Sequence, residues 1–159
     1  MSRSMVTAAV VGAIATSPSA GDAQVRQIDV LTLNAAMSMA DAAVVEARAN
    51  GWEVVIAIVD ASGELVLLRR MDGAQVGSVD VATAKASTAA RFRRETKAFA
   101  DAIAGGNLAM LSIDGVIALE GGLPITHDGV VIGGIGVSGV QSHEDAQIGR
   151  AGLTALAGG

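Results

Sequence analysis

The sequence predicts an α+β fold in which an antiparallel sheet is flanked by helices. Three observations carry that prediction. Apolar residues recur at helical spacing near both ends of the chain, in LTLNAAMSMADAAVVEARANG and in the segment from Ser142 to Leu156. Strand-like apolar runs lie between them. Tight hairpin turns join those runs on both sides of a central pair of helices, and turns that short pair successive strands antiparallel rather than through βαβ crossovers.

The elements follow in order. A first helix is expected over Leu33–Asn50, with Leu33, Ala36, Met37, Ala40, Val44 and Ala47 on one face. Thr32 or Asp29 can cap its start, and Gly51 ends it. WEVVIAIVD then reads as a strand that is apolar on both faces and therefore covered on both. The turn ASG returns the chain into ELVLLRR, so that Trp52–Arg70 forms a hairpin. An alanine-rich helix spans Ser78–Phe92, with Ala82, Ala86 and Ala89 as a small face suited to close packing, and a short helix covers Thr96–Ala104 before Gly105-Gly106. The β pattern resumes in GVIALE and LPIT around Gly121-Gly122, and in VVIGGIGVSG after the turn His127-Asp128-Gly129. The last helix opens with Ser142 and Asp145 at the S-x-x-D spacing of a capping box.

Composition narrows the function classes. At 159 residues the chain is one domain long enough to bury a core. It has no cysteine and no tyrosine, which removes disulfides, thiolate catalysis and phenol acid–base chemistry. Two histidines, His127 and His143, are too few for a multi-histidine zinc site, but either can serve as a single axial or mixed ligand to a metal. The net charge of −5 argues against nucleic acid as the main partner. With only 17% charged residues and long apolar runs, the chain is expected to hide surface in a homo-oligomer. Gly134 to Gly139 spells G-x-G-x-x-G, yet only 20 residues follow it. That is the wrong place for a dinucleotide fold, so the glycines are read as letting a neighbouring backbone, helix or ligand approach the strand.

Residues 1–24 form an N-terminal arm or a signal-like segment ahead of a domain over 25–159. Its apolar stretch, broken by threonine and glycine, falls short of the roughly 18 to 20 residues of a membrane span. The cytoplasm is the favoured location; a secreted or periplasmic one follows if residues 1–24 act as a signal.

The stretch RRMDGAQVGSVDVATAKASTAA concentrates chemistry in an otherwise apolar chain. Between Arg69 and Lys97 there are seven basic residues against three acidic ones, a pattern that suits a small carboxylated or phosphorylated ligand as well as a solvated helix face. Arg70, Ser78, Lys85 and Arg94 are the candidate ligand-binding residues. Lys85 sits among close-packing alanines, where an ammonium group needs an anion. Glu120, at the end of an apolar run beside two glycines, is a candidate proton carrier together with Asp72, and Lys85 is a candidate oxyanion holder. Arg70, Asp72 and Lys85 are expected to face one cavity.

Taken together, VVIAIVDASGELVLLRRMDGAQVGSVDVATAKASTAARFRR, LEGGLPI and DGVVIGGIGVSGVQSHEDAQIGRAGL resemble the GlcG/HbpS-type family, also labelled haem-degrading-like or DUF336. The resemblance runs from about Leu31 to Leu156. It implies a profilin-like α+β fold, symmetric oligomers, and haem or another tetrapyrrole as ligand. Some haem-binding relatives would be expected to supply a histidine from the first helix; none stands there in this chain. His127 and His143 are then the candidate iron ligands. Two alternatives remain beside haem binding: a cofactor-independent isomerase, lyase or hydrolase for a small anionic or aromatic catabolite, and a non-catalytic sensor or accessory protein.

Overall fold

A computed structural model describes residues 28–157. The expected arm or signal-like segment over 1–24 lies outside them. The described chain folds as four α-helices and four strands: α1 (Leu33–Ala49), β1 (Val55–Asp60), β2 (Leu65–Arg70), α2 (Ser78–Phe92), α3 (Lys97–Ala104), a 3-10 turn (Leu108–Ser112), β3 (Gly122–His127), β4 (Val130–Ser138) and α4 (Ser142–Ala157). The strands form one sheet in the order β2-β1-β4-β3 with every pairing antiparallel. This is the α+β fold that the sequence predicts.

Side-chain alternation assigns each face. On β1, Ile56 and Ile58 point towards α1 and α4, joining Ile135, Val137, Leu123, Ile148, Met39 and Ala43 in the larger core. Val55, Ala57 and Val59 point the other way, onto Ala82, Ala86 and Ala90 of α2. Burial on both faces explains why WEVVIAIVD reads as continuously apolar. A fully buried isoleucine contributes roughly 1.5–3 kcal/mol, and the larger face carries Ile56, Ile58, Ile125, Ile135 and Ile148 at 0% exposure.

The smaller face works by close approach. A β-carbon on Gly134 would overlap the carbonyl oxygen of Ala86, and one on Gly136 would overlap the carbonyl oxygen of Ala82. The backbone of α2 therefore lies directly on β4; the first two glycines of the literal G-x-G-x-x-G pack the helix, and the third, Gly139, lies against the backbone of Glu53 and Val54.

Turn and cap chemistry is local. The Asp60 carboxylate accepts from the amides of Ser62 and Glu64 at 2.8 and 3.0 Å, an Asx turn that closes the first hairpin. Asp128 and Gly129 at φ 47° and 76° close the second, as a two-residue type I′ turn requires. Thr32 caps α1 through Ala35 N–H.

Three expectations change. The buried face of α1 is Ala36, Met39, Ala40, Ala43, Val44 and Ala47, whereas Leu33 and Met37 are exposed. Alanines on every side of this helix left its phase open to a shift of a few positions. GVIALE forms no strand: β3 begins at Gly122, and Ile117 is instead held by its N–H donating to the Thr88 hydroxyl at 3.1 Å. At the start of α4, Ser142 is not the cap of a capping box. Glu144 accepts from Gln141 N–H at 3.0 Å and Asp145 from Val140 N–H at 3.2 Å.

The glycine strip gives a direct test. Gly136→Ala forces the backbones of α2 and β4 apart, with no flexible side chain available to yield. Urea unfolding should register a loss at or above the upper end of the about 1–3 kcal/mol typical of overpacking. A loss below about 0.5 kcal/mol would show that the two backbones are not in contact.

Candidate functional site

Lys85 is the most unusual side chain in the fold. It projects from α2 at 2% exposure, and its Nζ donates to Asp145 Oδ2 at 2.7 Å and to the Val137 carbonyl at 2.9 Å. Asp145 is equally buried, on the first turn of α4, and so belongs to the opposite layer. The two side chains meet at the end of β3 beside Gly121, where φ is +119° and where a β-carbon would lie 2.8 Å from both Lys85 Nζ and Asp145 Cβ. Only glycine leaves room for the pair at that corner. The anion that Lys85 requires is thus supplied from within the chain. Asp145 was legible as a helix-start residue but not as a partner, because 60 positions separate the two in sequence. Burial pushes the Asp145 carboxyl above its ordinary value, and Lys85 pulls it back only in part.

Arg70 and Asp72 lie elsewhere, in an open cleft of about 600 Å³ between α1 and the end of β2. Its walls carry Arg48, Arg69 and Arg70 together with Asp41, Glu53 and Asp72. Arg69 pairs with Asp41. Arg70 donates from Nε and Nη2 to the Ala74 carbonyl at 3.3 and 3.0 Å, and Glu53 accepts from Gly73 N–H at 3.1 Å. The loop Met71–Gly77 is therefore tied down at both ends of the cleft wall. The structure brings Arg70 and Asp72 to one cavity; Lys85 does not line it.

The other candidates are dispersed. Ser78 is buried at the start of α2. Arg94 is exposed, donates from Nε to the Phe92 carbonyl at 3.3 Å, and lies 5.7 Å from the centroid of the Phe99 ring. Glu120 sits 3.7 Å from Arg150, which also binds Glu95 at 2.8 Å; this cluster is not part of the cleft wall. His143 is exposed on the first turn of α4.

His127 occupies a different setting. Its side chain is 54% exposed at the β3–β4 turn, and it lines two neighbouring hollows of about 240 and 260 Å³. Pro124, Leu153 and Leu156 wall one; Leu31, Ile132 and Leu156 wall the other. Among the described residues no group of three or more His, Cys, Asp or Glu gathers to hold a bare metal ion. No described helix is long and apolar enough to cross a membrane.

These features define an α+β domain whose sheet carries helices on both faces, a charged cleft at one sheet edge and a histidine-bearing apolar shelf at the β3–β4 turn. The chain belongs to the family of haem-degrading HbpS-like proteins, which it matches over residues 31–154. It is 41% identical to Escherichia coli protein GlcG over 93 residues, 58% of this chain and 69% of that one. A crystal structure of a double mutant of HbpS from Streptomyces reticuli superposes with a TM-score of 0.78 at 36% identity, covering 91% of this chain and 99% of that one. A PduOC:heme complex superposes with a TM-score of 0.73 at 30% identity, covering 80% of this chain and 95% of that one.

The Lys85–Asp145 pair yields an expectation for stability. Lys85→Met leaves the Asp145 carboxylate buried without its cation, and the free energy of unfolding falls by about 3–5 kcal/mol near neutral pH. Adding Asp145→Asn restores most of the loss, since asparagine keeps an oxygen for Val140 N–H. The sign with pH follows from burial. In Lys85→Met the folded-state pKa of Asp145 is raised above its unfolded value, so the deficit is full above that pKa and shrinks as pH falls through it. Urea midpoints for the variant should approach those of the parent as pH is lowered from neutral towards the ordinary carboxylate range; a gap that is constant or widens contradicts the pairing.

Proposed function

We propose that this protein binds a tetrapyrrole, haem in the first instance, on the shelf around His127. The observation that carries the reading is the position of His127, an accessible imidazole shared by two adjoining hollows of mixed lining, each with an aspartate (Asp128 or Asp29) beside its aliphatic walls. The donor set fits the group. A porphyrin supplies four nitrogens to its own iron, so one protein nitrogen is sufficient as an axial ligand. Leu31, Ile132, Leu153 and Leu156 offer apolar surface to the macrocycle. The haem complex of the PduOC relative and the family's name support a tetrapyrrole as the ligand. His143, exposed and outside both hollows, is the lesser candidate.

A second reading concerns the charged cleft. Three guanidinium groups stand on its walls beside three carboxylates; the guanidinium groups would hold the anionic group of a small ligand there, as a binding protein or a cofactor-independent enzyme would use it. Self-association is also proposed: Leu33, Met37, Val45, Leu108, Leu111 and Val130 are all exposed by more than two fifths, apolar surface that a second copy would cover.

Titration with haemin should produce a Soret band that saturates. His127→Ala should weaken binding by about tenfold or more, and His143→Ala should leave it within about twofold. A titration unchanged by His127→Ala excludes this shelf as the site. Light scattering at micromolar concentration should give a mass of at least twice 15.8 kDa.

A further inference from the structure

We infer that the cleft between α1 and β2 accepts a small zwitterion, a molecule carrying a carboxylate, an ammonium group and a short apolar body. The inference rests on reading this cleft as a small-ligand site and goes beyond the anion alone.

The cleft's charges are balanced, with three arginines facing Asp41, Glu53 and Asp72. Yet they do not neutralise one another completely. Arg69 and Asp41 form the one ion pair between them among the described residues. Among the described residues, Arg48 and Arg70 have no carboxylate within 4.0 Å, and Glu53 and Asp72 have no cation. Opposite charges that line one open space without pairing are complementary to a ligand that carries both signs.

Two of these groups are fixed in place by the backbone. Arg70 is anchored through Nε and Nη2 on the Ala74 carbonyl, which leaves Nη1 uncommitted, and Glu53 is anchored on Gly73 N–H. A cation from the end of β2 and an anion from the segment before β1 are thus both held against one short loop, which lowers the entropy lost when a ligand binds. A simple anion satisfies the guanidinium groups but faces Glu53 and Asp72 as like charges; a simple amine has the converse fault. Carboxylates recognise an ammonium group through its three donors, and guanidinium groups recognise a carboxylate through paired N–H bonds. Val44, Val45 and Met71 complete the wall with apolar surface, so an amino acid with an aliphatic side chain matches the lining.

Calorimetric titration of the full chain separates the alternatives. The probes are leucine, 4-methylpentanoate (leucine without its ammonium) and 3-methylbutylamine (leucine without its carboxylate). Leucine should bind, and each truncated probe should bind at least tenfold more weakly. Asp72→Asn should cost leucine about tenfold and leave 4-methylpentanoate unchanged or improved, and Arg48→Gln should weaken both. If 4-methylpentanoate binds as tightly as leucine and depends on Arg48, the cleft is an anion site and the zwitterion inference is overturned. If none of the three binds, the small-ligand reading of the cleft falls with it.

Discussion

The contact of the α2 backbone with β4 sets the terms for the rest of this fold. At Gly134 and Gly136 nothing larger than hydrogen fits beneath Ala86 and Ala82, so the helix face must be alanine and the strand face glycine. At that separation the layer has no room for large side chains, and most of the hydrophobic burial falls to the opposite face, where the isoleucines of β1, β3, β4 and α4 meet α1. One side of the sheet is held by proximity and the other by volume. The exception on the tight side is Lys85, whose long stem runs along the sheet end until its ammonium reaches Asp145. The same close approach that excludes bulk leaves this lysine one route, past Gly121, towards the far layer.

Much of this was legible in the sequence, and the exceptions have physical causes. Hairpins are readable because their turns carry turn residues, ASG in the first and Asp128-Gly129 in the second; the Asx contacts of Asp60 that close the first are visible only in the structure. The α2 boundaries agree with expectation because alanine periodicity ends at the basic run after Phe92. Ala36, Ala40, Val44 and Ala47 of the expected α1 face are buried, and only its edge differs, with Met39 and Ala43 in place of Leu33 and Met37, because alanine is compatible with either side of a helix and so carries little phase. GVIALE has strand composition, but the sheet edge it would extend is not where the chain places it.

At the sites, residue type was readable and partnership was not. An anion for Lys85 was required by burial alone, but Asp145 could be recognised as that anion only from the packing of α4, because its spacing from Ser142 already had an adequate local explanation. Arg70 and Asp72 were placed together correctly, since a strand end and the loop after it cannot separate far. The prominence of His127 was harder to see. A histidine in a turn is ordinary until α4 and the segment before α1 bring Leu156 and Leu31 beside it.

The Lys85–Asp145 pair also bears on the order in which the molecule assembles. Its members lie 60 positions apart and on helices of opposite layers. Neither can leave water at low cost until both α2 and α4 have docked on the finished sheet, since a half-formed corner would bury one charge alone. An interaction that needs both helices docked would act mainly on how slowly the native state opens. In a protein with no disulfide to hold it closed, a clasp between the two layers would add its energy to equilibrium stability and to kinetic persistence alike.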